Sequence, residues 1–313
     1  MIIQGEINAG RRVFMDFRKN PVGLEDGFSV LTEETYQYLK NSGAIFGAPI
    51  ERLTHMNPQA VSLYANHGID LYAEPLEVAV CAQHCNGGVA VDINWESSVA
   101  GLYTAGEAAG TFGVYRPGGS ALNSAQVGSM RAAEHIARKT RIESRRVSEN
   151  TAAYWNLPAV KMAPVSNAAE KRLHTQKMMS KYASFLRNPA QIERMLEEFT
   201  AFRDRFWDET VIANISEVPF VHKSYDILVT QIAALSAILL SAKEAGSRGS
   251  AMVEGSGANN PAADKVIVTD ESGSRFEPVR RIPEGGGWFE TVWREFNEKN
   301  PIKSYGRVGV NEL

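Results

Sequence analysis

Three features of the sequence predict a mixed α/β fold that ends in a largely helical part. Two strand-like runs, residues 89–93 (VAVDI) and 101–105 (GLYTA), lead into a glycine-rich passage over 106–119 and then a helix-forming stretch over 120–139. Strand, glycine-rich loop and helix, in that order, turn backbone N–H groups and a helix N-terminus towards an anionic or carbonyl-rich ligand. Further along, Ile192, Met195, Leu196, Phe199, Phe202 and Phe206 recur at three- and four-residue spacing, which is one apolar face of a helix. Residues 227–242 follow as an apolar run without a charge.

Composition narrows the class. The 313 residues suffice for one large domain or two ordinary ones, and 44% hydrophobic with 22% charged residues is a globular profile. A formal net charge of −3 and a pI near 6.1 supply no basic face for nucleic acid. Cys81 and Cys85 stand four apart with no second pair, which argues against zinc and excludes a disulfide framework. They are expected to be buried small hydrophobes, and the expected compartment is the cytoplasm. The N-terminus carries no secretory-signal pattern. The 227–242 run contains Thr230, Gln231, Ser236 and Ser241 and falls short of the roughly 20 apolar residues of a membrane span, so a buried core helix is expected.

Taken in order, residues 13–17 (VFMDF) read as a short strand closed by Asn20 and Pro21. Thr32 followed by Glu33 and Glu34 marks a helix start, with a capping hydroxyl and acids near the positive end. Pro58 opens a second helix that Gly68 stops. After the glycine-rich passage and its helix come the periodic stretch around 192–206 and the apolar helix ended by Gly246. A short strand at 266–268 and a tail with Trp288 and Trp293, expected to pack across another surface, complete the chain.

The passage from Cys81 to Met130 carries the most specific signal. Gly87-Gly88, then GLYTAGE at 101–107, then Arg116-Pro117-Gly118-Gly119-Ser120-Ala121-Leu122 stand in series. This series resembles the second flavin-contacting segment of the FAD-dependent fumarate reductase, succinate dehydrogenase and L-aspartate oxidase family. Gly10, Arg11 and Arg12 before the first strand resemble the end of that family's capping region, and Ser247-Arg248-Gly249 resembles the SRG of its helical domain. The resemblance covers most of residues 1 to about 250, and identifies the chain as the C-terminal half of such a protein.

The resemblance implies a partial FAD-binding, Rossmann-like domain with a remnant of the capping domain, followed by a helical domain. The corresponding spans are 1–73 (capping remnant), 74–145 (end of the FAD-binding domain), 146–254 (helical domain) and 255–313 (tail). Gly87, Gly88, Gly106, Glu107, Gly118, Gly119, Ser120, Ala121 and Leu122 would contact FAD. Glu107 would accept hydrogen bonds from ribose or ribityl hydroxyls. The glycines would let backbone approach the ring, and the helix that follows would point its positive end at the pyrimidine edge. Gly128 with Ala132 and Ala133 would let that helix pack tightly.

Arg116 matches the arginine that clamps a substrate carboxylate, a task suited to a planar guanidinium. Proline follows it here, where the family has leucine. His84 precedes Gly87-Gly88 by two intervening residues instead of three, so an ungapped match puts Gln83 in the family histidine's place. His84 is expected either to reach the substrate or to serve structure alone. No G-x-G-x-x-G occurs in these residues, and none of Arg11, Arg12 and Arg18 lies in the family's proton-donor motif.

The expected activity is hydride transfer between flavin N5 and a small carboxylate-type CH–CH substrate, together with an N-terminal half or partner chain. A separate electron-transfer partner is expected, because no iron–sulfur or haem motif is present. The other reading is a non-catalytic half-domain or interaction subunit of a split flavoprotein.

Overall fold

The structure, a computed structural model, describes residues 2–24, 28–81, 84–113, 120–139, 158–247, 251–256, 262, 264–279 and 298. The chain divides into two compact units, residues 1–83 and 84–313.

The first unit opens on helix α1 (Ile2–Asn8) and turns at Gly10, whose φ of 78° favours a residue without Cβ, into strand β1 (Val13–Met15). Helix α2 (Glu33–Asn41) starts where the sequence predicts. Thr32 Oγ1 accepts from Thr35 N at 3.4 Å, with Glu33 and Glu34 in the first turn. Helices α3 (Pro49–Met56) and α4 (Pro58–Asn66) each carry proline at the first position, where its missing N–H has no intrahelical partner to lose. Asn57 caps α4 by accepting from Ala60 N, and Gly68 (φ 78°) follows its end. Strand β2 (Leu76–Val78) closes the unit, antiparallel to β1 in the register Val13↔Val78 and Met15↔Leu76. Arg12 grips Glu77 by two hydrogen bonds beside that pair, at 3.0 and 2.6 Å.

In the second unit the two strand-like runs at 89–93 and 101–105 do not form regular strands. They are held by single bridges, Val91↔Ser97, Glu96↔Tyr103 and Gly88↔Ala109. The connection between them folds back within a few residues. Asp92 Oδ1 takes the N–H groups of Asn94 and Glu96, so turn hydrogen bonds occupy backbone that a ladder would need. Helix α5 (Ser120–Arg138) then runs close to the predicted span, with Gly128 and Ala132 buried and, against expectation, Ala133 exposed.

The remainder of the unit is built on helices α6 (Ala168–Tyr182), α7 (Pro189–Glu209) and α8 (Val218–Glu244). Two-residue parallel pairs tie the ends of these helices: β3 (Lys161–Met162) with β5 (Val211–Ile212), and β4 (Leu186–Arg187) with β6 (Met252–Val253). An antiparallel hairpin, β7 (Lys265–Asp270) and β8 (Gly273–Pro278), lies against α8, where the Ser236 and Ser274 hydroxyls meet at 2.7 Å. The sequence anticipates only 266–268 of this hairpin.

Helix α8 is longer than the 227–242 run that announces it and, by length and composition, is apolar enough to cross a membrane. Its stripe Val221, Ser224, Leu228, Gln231 and Leu235 is buried, at alternating three- and four-residue steps. Val221, Leu228 and Leu235 join Ile192, Met195, Phe199 and Phe206 of α7 in one core cluster. This stripe is the side of α8 that faces the core, and 22% of the helix's apolar window is buried. Phe199 is 1% exposed in this cluster, and Phe199→Ala is expected to cost about 3–5 kcal/mol through lost burial and the cavity left behind. A urea midpoint measured by far-ultraviolet circular dichroism checks it, the slope remaining unchanged.

Candidate functional site

The residues singled out in the sequence meet around one backbone crossing in the second unit. Gly88 and Ala109 pair, and Val89 N donates to Ala108 O at 2.8 Å. A Cβ on Gly88 would lie 2.4 Å from both Ala108 O and Gly110 N, and one on Gly110 (φ 62°) would lie 2.6 Å from Gly88 N. Two loops can approach this closely only as glycine. A Cβ on Gly87, in contrast, would meet nothing within 4 Å, so that side of the loop is open.

A 3-10 turn, Gly106–Ala108, projects Glu107 from the crossing. Gly106 adopts φ 70° and lies against Ala125 of α5, where a Cβ would sit at 3.7 Å. Glu107 Oε1 accepts from Cys85 N at 2.8 Å, and Oε2 lies 3.2 Å from His84 Nδ1. The Glu107 side chain remains half exposed while that of His84 is largely buried, its ring stacked on Phe112 at 5.0 Å and 16°. The carboxylate thus ties the 84–86 loop to the 106–108 turn.

A second attachment fixes α5. Trp95 adopts φ 64°, strained for a bulky residue. Its indole lies over Gly128, where a Cβ would come within 2.3 Å of Nε1. Arg131 stands over the indole ring at 5.6 Å. At the other end, Lys139 Nζ donates to Glu96 Oε2 at 2.8 Å and also bonds Oε1, with Tyr103 OH 3.0 Å from His135 Nδ1 alongside. Lys139 first, then the Gly101 N–H, hold the Glu96 carboxyl down at about 2.

Ser120, Ala121 and Leu122 form the first turn of α5, with Leu122 exposed. Its leading N–H groups lack intrahelical acceptors and carry the positive end of the helix dipole. Arg116, Gly118 and Gly119 lie outside the described residues, as do Gln83 and Arg248. Cys81 and Cys85 are both exposed, correcting the expectation of burial: neither lies in a helix or strand that would turn it towards a core. Sequence reasoning passed over Trp95, Phe112, Gly110 and the Glu96–Lys139 pair. Gly110 had a readable signal, as one more glycine in a glycine-rich passage. Trp95 had none, since its partner lies a hairpin and a loop away.

Comparison with known proteins bears on this arrangement. Residues 2–122 match the family model described as FAD binding domain. The chloroplastic L-aspartate oxidase of Arabidopsis thaliana is 28% identical over 188 residues, covering 53% of this chain and 28% of that protein. A CoM/CoB fumarate reductase chain from Methanothermobacter marburgensis is 40% identical over 80 residues, 25% of this chain and 15% of that one. The chain is similar to the L-aspartate oxidase and fumarate reductase flavoproteins. The cofactor that the matched domain model names is FAD.

Among solved structures, a point mutant of the FrdA chain of E. coli quinol fumarate reductase matches with a TM-score of 0.61 at 18% identity. It covers 91% of this chain and 57% of that one. The Sdh1 complex of Mycobacterium smegmatis with UQ1 matches with a TM-score of 0.58 at 17% identity, over 87% and 51%. At such identities the likeness is one of fold. The chain therefore spans little more than half of these solved chains and under a third of the L-aspartate oxidase.

The described residues fit the ring portion of FAD. Glu107 offers a half-exposed acceptor, Gly87 an open backbone edge, and the start of α5 a positive helix end. The Glu96–Lys139 attachment of α5 carries its own pH signature. A depressed carboxyl contributes stability above its unfolded value of 4.5, and that stability is lost as pH falls towards about 2. Acid titration of wild type and Glu96→Gln, followed by circular dichroism, is expected to show this leg only in the wild type.

Proposed function

We propose that the chain is the ring-side part of an FAD-dependent oxidoreductase acting on a CH–CH bond of a small carboxylate substrate. A nucleotide-binding segment outside these 313 residues would complete the cofactor site. The reading is carried by the glycine crossing that presents Glu107 and the open Gly87 edge beside the α5 N-terminus. Bound FAD supplies the hydride donor or acceptor at N5.

The chain's own residues have distinct tasks in this reading. Glu107, whose carboxylate has about four acceptor positions and takes the Cys85 N–H at one of them, accepts from cofactor hydroxyls. Ser120, Ala121 and Leu122 turn helix-start amides to the pyrimidine edge, which favours the reduced, anionic ring. Gly118 and Gly119, by resemblance, keep backbone near the ring. Arg116, also by resemblance, holds the substrate carboxylate through two parallel hydrogen bonds. Val89, Ile93, Val99 and Leu102 are exposed on the bridged segment. Such an apolar face suits a further sheet segment, as the other part of an FAD-binding domain would provide. Electrons pass to or from a separate partner.

The reading is tested by flavin retention. The purified chain mixed with FAD and desalted is expected to be colourless. Co-produced with a segment bearing G-x-G-x-x-G from a fumarate reductase or L-aspartate oxidase relative, it is expected to retain flavin absorbance at about one equivalent. Stoichiometric FAD on the chain alone would overturn the need for a second segment, and no flavin in either case would overturn the site.

A further inference from the structure

Trp95 carries two local costs that its turn does not require. Its φ of 64° is strained for a bulky side chain, and glycine or asparagine would serve that backbone better. Its indole Nε1–H is buried and donates to nothing. What the side chain gains is its seat on α5, over Gly128. We infer that Trp95 is a positioning residue for the flavin site, seating α5 through Gly128 so that the helix start meets the ring. The inference deepens the proposed function and rests on it for what the helix start faces.

The segment that carries Glu107 holds α5 at three places. Gly106 lies against Ala125, Trp95 covers Gly128, and Glu96 takes Lys139. The eleven-residue step from Gly128 to Lys139 is close to three helical turns, so these points share one face. They differ in stiffness. A Cβ on Gly106 would meet Ala125 at 3.7 Å, an ordinary contact that tolerates sliding. Lys139 reaches Glu96 through a flexible four-carbon stem. The indole is rigid, and a Cβ on Gly128 would lie 2.3, 2.6 and 2.9 Å from its Nε1, Cε2 and Cδ1. The ring edge thus fills the place of a side chain on α5 and fixes the helix there. A shift at Gly128 is carried to Ser120 along about 12 Å of helix. The positive end acts within its first turn, so its placement against the ring decides its effect.

Two variants break the contact from opposite sides. Trp95→Gly removes the indole and relieves the backbone strain, and Gly128→Ala puts a methyl where the indole lies. Hydrogen exchange of the chain without FAD, read by mass spectrometry, is expected to quicken over residues 120–139 in each, while α7 and α8 stay protected. A role in helix stability alone predicts the reverse for Gly128→Ala, since alanine favours helix over glycine. That variant keeps the measurement available where Trp95→Gly fails to fold. In the co-produced, flavin-retaining protein each variant is expected to lose roughly tenfold of the preference for reduced flavin, a potential about 30 mV more negative for a two-electron couple. Gly128→Ala is expected to add nothing further in the Trp95→Gly background, where the contact is already gone.

Wild-type exchange over 120–139 with an unchanged potential in both single variants would overturn the inference. So would effects of the two substitutions that simply add. A wild type that retains no flavin, with α5 exchange as expected, would count against the cofactor reading and leave the seating of α5 by Trp95 standing.

Discussion

The site depends on a steric constraint: two loops cross where their backbones leave no room for a side chain. Gly88 and Gly110 approach so closely that a Cβ on either would meet peptide atoms of the other well inside contact distance. Peptide atoms cannot rotate away as a flexible side chain can, so the constraint is hard. From that crossing the chain projects Glu107 and leaves the edge of Gly87 open. Glu107 reaches back across the crossing to Cys85 and His84, so hydrogen bonding and sterics hold the same pair of segments.

Helix α5 is set against this crossing by contacts of another kind. Trp95 fits where Gly128 has no side chain, and Lys139 reaches Glu96 at the far end. The strained φ of Trp95 is consistent with an indole whose place is dictated by packing and not by local backbone preference. The helical part from α6 to α8 has a separate core of α7 and α8 side chains and its own two-residue strand pairs. The glycine crossing and the helical scaffold are thus stabilised by different interactions.

Legibility followed the range of the interactions. Helix starts were readable because caps are local: Thr32 and Pro58 announce α2 and α4 within their own first turns. The α7 face was readable because its period repeats over several turns. The 89–93 and 101–105 runs misled, because β-forming residues state a propensity while strand formation needs a partner. Here Asp92 and the bridging residues use that backbone for turns. The length of α8 was underestimated because Lys223 and Asp226 end the charge-free run, while Pro219 sits in the first helical turn, where it is tolerated. In the site, the glycines and Glu107 stood out by order and spacing. The Glu107 link to His84 did not, since it joins residues on two loops that only the fold brings together.

The central claim is that the glycine crossing builds the flavin-ring site. Gly88→Ala in the flavin-retaining, co-produced protein tests it most directly, with bound FAD read by absorbance after desalting and the fold read by circular dichroism. The account predicts loss of flavin while the helical signal of α6 to α8 persists. A Gly88→Ala protein that keeps its full flavin complement would contradict it.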